Sequence, residues 1–208
     1  MASEYIIMGD VIGSSKQDAV GLMENVQEVI RSANREFKKD LRSPLTVTLG
    51  DEFQGVASSL DKAVRILFYL DETRLRKEWM FSFRYVIHYG EIDTDINTEV
   101  AYGMLGEGLT KARSLLELKE KGKRFRILVE DEQKSRMLNR LLFAADGISK
   151  RWSRKNMPLI YDMIFRTDNA EVAGKHEKNA SQIWKMRRNN LIEEYRQLKE
   201  VILEVANS

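Results

Sequence analysis

The chain is 208 residues long, 43% hydrophobic and 32% charged, a composition that builds a globular core and excludes disordered and fibrous classes. Its 34 basic and 32 acidic residues leave a net charge of +2, so bulk charge singles out no polyanionic partner. The lack of cysteine removes disulfides, iron-sulfur clusters, thiolate nucleophiles and cysteine-bound zinc, and the two histidines, His88 and His176, cannot make a histidine-rich metal centre.

Residues 4–12 are a short apolar run closed by Gly-Asp, which predicts an interior strand. With no basic segment before it and only Tyr5 to Met8 continuously apolar, the start reads as neither signal peptide nor membrane span, and a cytoplasmic protein is the expectation. From Lys16 to Asp40, Val20, Met23, Val26, Ile30, Ala33 and Phe37 recur every three or four residues, as on one buried face of a helix. Leu45 to Thr48 and Glu52 to Ala57 alternate around Gly50-Asp51, the pattern of a hairpin. Leu60, Val64, Leu67 and Leu70 mark a second helix. Next, Phe81, Phe83, Tyr85 and Ile87 face one way along a strand and Ser82, Arg84 and His88 the other, with Val86 as the exception. A glycine-rich stretch from Gly103 to Gly108 leads into a third helix, and Phe125 to Val129 form the last strand.

This order predicts an α+β fold of the ferredoxin-like kind over residues 1–130, a mostly antiparallel sheet with helices on one face. Residues 131–208 read as all-helical, and with no flexible linker between them the two parts should pack together. Charge is also uneven: from Lys150 onward there are 12 basic and 8 acidic residues.

Asp10 closes the first strand and Asp51 the hairpin, and two carboxylates meeting there would repel unless a cation lies between them. Mg²⁺ suits such a pair because water and phosphate oxygens complete its octahedron. Gly-Asp is equally ordinary turn chemistry. Arg84 can reach a phosphate, or make a surface ion pair. Ser14, Ser15 and Lys16 offer a helix start to an anion, although capping accounts for the serines as well.

The segments G-D-V-I-G-S-S, T-L-G-D-E-F-Q-G-V and R-Y-V-I-H-Y-G-E-I-D-T, spread over residues 4–116, resemble the SatD family of bacterial proteins. They are more distantly similar to class III nucleotide cyclases and GGDEF-type domains. That resemblance implies a nucleotide-cyclase-like sheet with metal ions, Mg or Mn, held by Asp10 and Asp51 and by the backbone carbonyl of Val11. It departs from the cyclases where Val47 replaces a base-contacting lysine, Gly103 a base-contacting aspartate, and Thr110 and Ser114 the transition-state Asn and Arg, with Arg113 one position away. The reading is therefore a regulatory protein that binds a nucleotide or phosphate ligand. A divergent nucleotidyl cyclase or nucleotidyltransferase, or a dimeric interaction module without a small ligand, is the alternative.

In residues 167–189 the placement of Val172, Ala173 and Ile183 resembles a helix-turn-helix, with Glu177 where the turn glycine usually stands. Gln182 and Lys185 would then read DNA bases while Arg187 and Arg188 hold phosphates. A helical hairpin with a solvated basic face reads equally well. Leu191, Tyr195, Leu198, Ile202 and Val205 make a final stripe, either packed within the chain or forming a homodimer seam.

Overall fold

A computed structural model of the chain describes residues 2–13, 19–48, 50–120 and 122–208. Strand β1 (Ala2–Val11) leads to helix α1 (Ala19–Glu36), the hairpin β2 (Leu41–Val47) and β3 (Phe53–Ala57), and helix α2 (Leu60–Arg76). Strand β4 (Phe83–Ile92), helix α3 (Glu107–Glu117) and strand β5 (Phe125–Leu128) follow. The sheet order is β2-β3-β1-β4-β5, antiparallel throughout except for the parallel β4–β5 pair. β1 is therefore central, and its middle is apolar because both its faces are covered, Ile7 on one and Ile6 and Met8 on the other.

Alternation along these strands sorts the core into two layers. Ile7, Phe83, Tyr85 and Ile87 meet the buried faces of α1 and α2, while Ile6, Met8, Val56 and Val86 meet Ala112 and Leu116 of α3. The expectation of helices on one face is thus corrected: α3 covers the other face. Val86 breaks the polar alternation of its strand face because α3 covers it. Two glycines bring the helix onto the sheet: a Cβ on Gly108 would stand 2.6 Å from the Gly90 carbonyl carbon.

The C-terminal helices are α4 (Glu132–Ser149), α5 (Met157–Phe165), α6 (Asn169–Lys175), α7 (Ala180–Asn189) and α8 (Ile192–Asn207). Asp131 caps α4 by accepting from the Lys134 amide at 2.9 Å, and Asn179 with Gln182 forms a capping box on α7. α4 packs on β5 and α8, and α5 and α8 pack on α2, so one hydrophobic cluster continues from the sheet into this region. The stripe on α8 is used inside the chain, with Tyr195 and Ile202 buried there.

Buried ion pairs tie the same layers together. Arg124 at the start of β5 donates to Asp71 of α2 and Asp146 of α4, and the Tyr85 hydroxyl donates to Asp71 at 2.8 Å. Burial opposes the charge on Asp71, but Arg124 and Arg74 outweigh it and hold that carboxyl below its usual range. The outer edge of β5 is closed by Asn139, which accepts from the Ile127 amide at 2.9 Å and donates to its carbonyl at 2.7 Å. Among the described residues, no helix is long and apolar enough to cross a membrane.

Candidate functional site

Asp10 stands one residue before the end of β1, and the β1–β3 register, with Gly9 opposite Phe53, brings it to the hairpin end of the sheet. It is only 7% exposed. Across the sheet Arg84 is its partner in register and donates to Asp10 Oδ2 at 2.7 Å. Asp10 Oδ1 is buried with no hydrogen-bond partner. Burial pushes this carboxyl up to about 6, against the pull of Arg84 and Lys119 and with an added push from Asp51 and Glu52. The hairpin carboxylates therefore act on Asp10 from the same end of the sheet. The hairpin is closed by the Thr48 amide donating to the Glu52 carbonyl at 2.9 Å, with Gly50 at φ 58°.

The donor set fits a hard cation only in part. Asp10 offers one free oxygen, Asp51 is half-exposed nearby, and the other Asp10 oxygen is held by Arg84. Among the described residues, no group of three or more His, Asp or Glu side chains is arranged to hold a metal. A cation here would draw most of its ligands from water and a bound phosphate, the usual habit of Mg²⁺. The side chain of Val11 is buried in the α1–α2 core. Ser14, Ser15 and Lys16 lie outside the described residues. Lys119 escaped the sequence reading because it stands in a charged run after α3, and only the fold brings its field to Asp10.

Arg113 does not join this pair. It lines a separate groove of about 650 Å³ between α3 and the sheet, with Met8, Gln54 and Tyr102. Thr110 and Ser114 turn their hydroxyls back onto carbonyls of their own helix, those of Gly106 and Thr110, at 3.3 and 2.9 Å. His88 Nδ1 donates to the Leu128 carbonyl at 3.0 Å, and burial lowers its pKa.

In the helical region Val172, Ala173 and Ile183 are buried where α6 meets α7. Glu177 adopts φ 52°, the left-handed conformation for which a turn usually recruits glycine. Asp162 is buried beneath this turn and accepts from Lys175 at 2.8 Å and pairs with His176 Nε2 at 2.6 Å. One expected role is corrected. Arg187 is 6% exposed and donates to the carbonyls of Met163 and Arg166 and to Asn169 Oδ1, so it secures the end of α5 and is not free to hold a phosphate. Gln182 is exposed, but its Oε1 accepts from the Asn179 amide at 3.0 Å as part of the capping box. Lys185 and Arg188 are exposed, the latter with its guanidinium 5.2 Å from the ring centre of Trp184, itself 50% exposed.

Comparison with solved structures finds nucleotide cyclase domains. A bacterial light-regulated adenylyl cyclase is 14% identical, with 61% of this chain and 43% of that one covered and a TM-score of 0.46. The monomeric guanylyl cyclase domain of the RhoGC fusion protein from Blastocladiella emersonii is 12% identical, with 61% and 80% covered and a TM-score of 0.43. The adenylyl cyclase CyaB from P. aeruginosa is 14% identical, with 64% and 79% covered and a TM-score of 0.41. Among curated proteins nothing matches. The profile of the SatD family matches residues 5–199, nearly the whole chain and both of its parts, and the chain belongs to that family.

Proposed function

We propose that this protein is a cytoplasmic ligand-responsive regulator. Its sheet end, around Asp10, Asp51 and Arg84, takes the phosphates of a nucleotide or a related ligand together with Mg²⁺ or Mn²⁺. Its α6–α7 pair presents Lys185 and Arg188 to duplex DNA. The observation that carries the ligand reading is the buried, unpartnered Oδ1 of Asp10 beside an arginine at an open sheet end. A purely structural ion pair would satisfy both carboxylate oxygens, and an orphan acceptor needs a donor or a cation. Support for the DNA reading is the left-handed turn at Glu177 between two short helices whose outer face exposes Lys185 and Arg188.

Calorimetric titration with each nucleoside triphosphate and Mg²⁺ tests the ligand. At least one should bind, and Asp51→Asn should weaken it about tenfold by removing one of the two carboxylates. Equal binding by that variant would remove the metal reading. Binding of duplex DNA should weaken steeply with salt, and Arg188→Ala should lower the slope of log K against log salt by about 0.9, one phosphate contact. A slope near zero in the wild type would leave the α6–α7 pair a structural unit.

Residual cyclase chemistry is the second reading, favoured by the carboxylates at the sheet end. Turnover with Mn²⁺ and a nucleoside triphosphate is expected to be absent. Arg113 faces a different groove from Arg84, and the Thr110 and Ser114 hydroxyls are bonded within their helix. Cyclic product that vanishes in Asp51→Asn would favour the enzyme.

A further inference from the structure

A cleft of about 550 Å³ opens where the sheet end meets the C-terminal helices. Its cations come from different layers: Arg74 from α2, Arg84 from β4, Lys119 and Lys123 from the loop after α3, and Lys150 and Arg154 from the connection between α4 and α5. Counting Arg124, seven cationic side chains line it against two carboxylates, Glu120 and Asp146. Even with the buried Asp10 and Asp71 behind the wall, three positive charges are left over. The lining carboxylates are already engaged, Asp146 by Arg124 and Lys150 and Glu120 by Lys123 and Arg126. Among the described residues, Lys119 and Arg154 form no ion pair.

Two further atoms point to an acceptor. Arg84 Nε and Arg74 Nε are both buried with no hydrogen-bond partner, the latter facing only the Asp71 carboxylate at 3.9 Å, and both guanidinium groups belong to this cleft. Buried donors left unpaired cost free energy that an anionic ligand would recover. Planar guanidinium groups and ammonium groups on separate elements suit several phosphate groups in a row, more charge than one carboxylate carries.

We propose that this cleft binds an oligophosphate chain through Arg74, Arg84, Lys119 and Arg154, and that Trp152 transmits its occupancy to the end of α7. Trp152 lines the cleft, and its indole Nε1 donates to the carbonyl of Asn190, the residue that caps α7, at 2.8 Å. The next residue, Leu191, stands at φ 53°, so the α7–α8 turn has a defined geometry that this bond helps to hold. A ligand that fixes the indole favours the arrangement in which the bond is made, and shifts the population of that turn accordingly. The cleft shares Arg84 with the sheet-end site proposed above, but needs neither the metal nor the DNA. Only the extension of its signal to DNA rests on the regulator reading above.

The probe is inorganic tripolyphosphate without divalent metal, titrated calorimetrically, with amide hydrogen exchange read over residues 186–192. The wild type should bind it and exchange more slowly there when saturated. The double variant Lys119→Ala, Arg154→Ala loses no ion pair and should keep its circular dichroism while binding about tenfold more weakly. Trp152→Phe should bind within about twofold of wild type but lose the slowed exchange. No binding by the wild type at about 5 mM, or equal binding by the double variant, overturns the cleft. Binding that requires Mg²⁺ and disappears in Asp51→Asn also overturns it, and assigns the ligand to the metal site instead. Unchanged exchange in the saturated wild type, or slowing that survives in Trp152→Phe, overturns the transmission through Trp152.

Discussion

Asp10 is held where its charge is disfavoured, with one oxygen on Arg84 and the other unpaired. Its folded pKa of about 6 is above the ordinary 3.8, so between those values the folded state binds more protons than the unfolded chain. The stability this group contributes is therefore complete in acid and lost as pH rises toward about 6. Asp10→Asn removes the titration. Urea denaturation at about pH 5 and about pH 8 should show the variant gaining about 1 kcal/mol on the wild type over that interval, because solvent at the open sheet end screens part of the effect. Parallel pH profiles would show that Asp10 titrates normally and that its orphan oxygen is hydrated. Arg187 shows the reverse relation of sequence to role: in a basic tail it reads as a phosphate ligand, yet its hydrogen bonds run inward to Met163 and Arg166.

At the scale of elements, α6 and α7 are too short to be stable alone and depend on the packing of Val172, Ala173 and Ile183 and on the caps at each end. Between them Glu177 carries a Cβ in the left-handed region, where its contact with the backbone costs about 1 kcal/mol or more. Glu177→Gly relieves that strain and loses part of the gain to the greater freedom of glycine in the unfolded chain. Thermal unfolding should therefore show a stabilisation of about 0.5–1 kcal/mol. A loss of stability would mean that the Glu177 side chain makes an interaction worth more than the strain. The same logic governs α3, whose close seat on β4 depends on Gly90 and Gly108 lacking side chains.

Over the whole molecule, the sheet and the C-terminal helices share one core, and Glu72 of α2 is the polar fastening between them. Both its oxygens accept from Lys199 of α8 at 2.7 Å, and the Tyr195 hydroxyl donates to one of them at 3.3 Å. Burial nonetheless raises the pKa of Glu72 above its ordinary value, more than Lys199 lowers it. Lys199→Met strands that carboxylate, which should cost about 3 kcal/mol near neutral pH. The folded pKa of Glu72 then rises further, so the deficit should shrink in acid, where the group is protonated in both states, and grow toward alkaline pH. Chemical denaturation followed by circular dichroism and by tryptophan fluorescence should give one coincident transition. Two separated transitions would show that the two parts unfold independently, and a deficit independent of pH that they are joined by apolar packing alone.

Strand and helix identities were legible along most of the chain because hydrophobic periodicity is local: each residue's partners on its own face stand two, three or four positions away. The apolar run of β1, the Gly-Asp hairpin and the helix from Leu60 follow from that. The motifs around Asp10 and Asp51 likewise carried the family resemblance. What periodicity could not express is which face of the sheet a helix takes, because α3 is amphipathic whichever layer it covers, and Val86 was the one residue in β4 that registered its presence. Nor could it show that Arg84 satisfies half of Asp10, residues 74 apart, or that Arg187 turns inward while Arg188 stays out. The cleft is the extreme case: its cations come from α2, β4, the loop after α3 and the connection after α4, and in the sequence each is only another charged residue among many. Tertiary structure alone concentrates them, because a long-range field depends on distance in space, and only the folded backbone sets that distance.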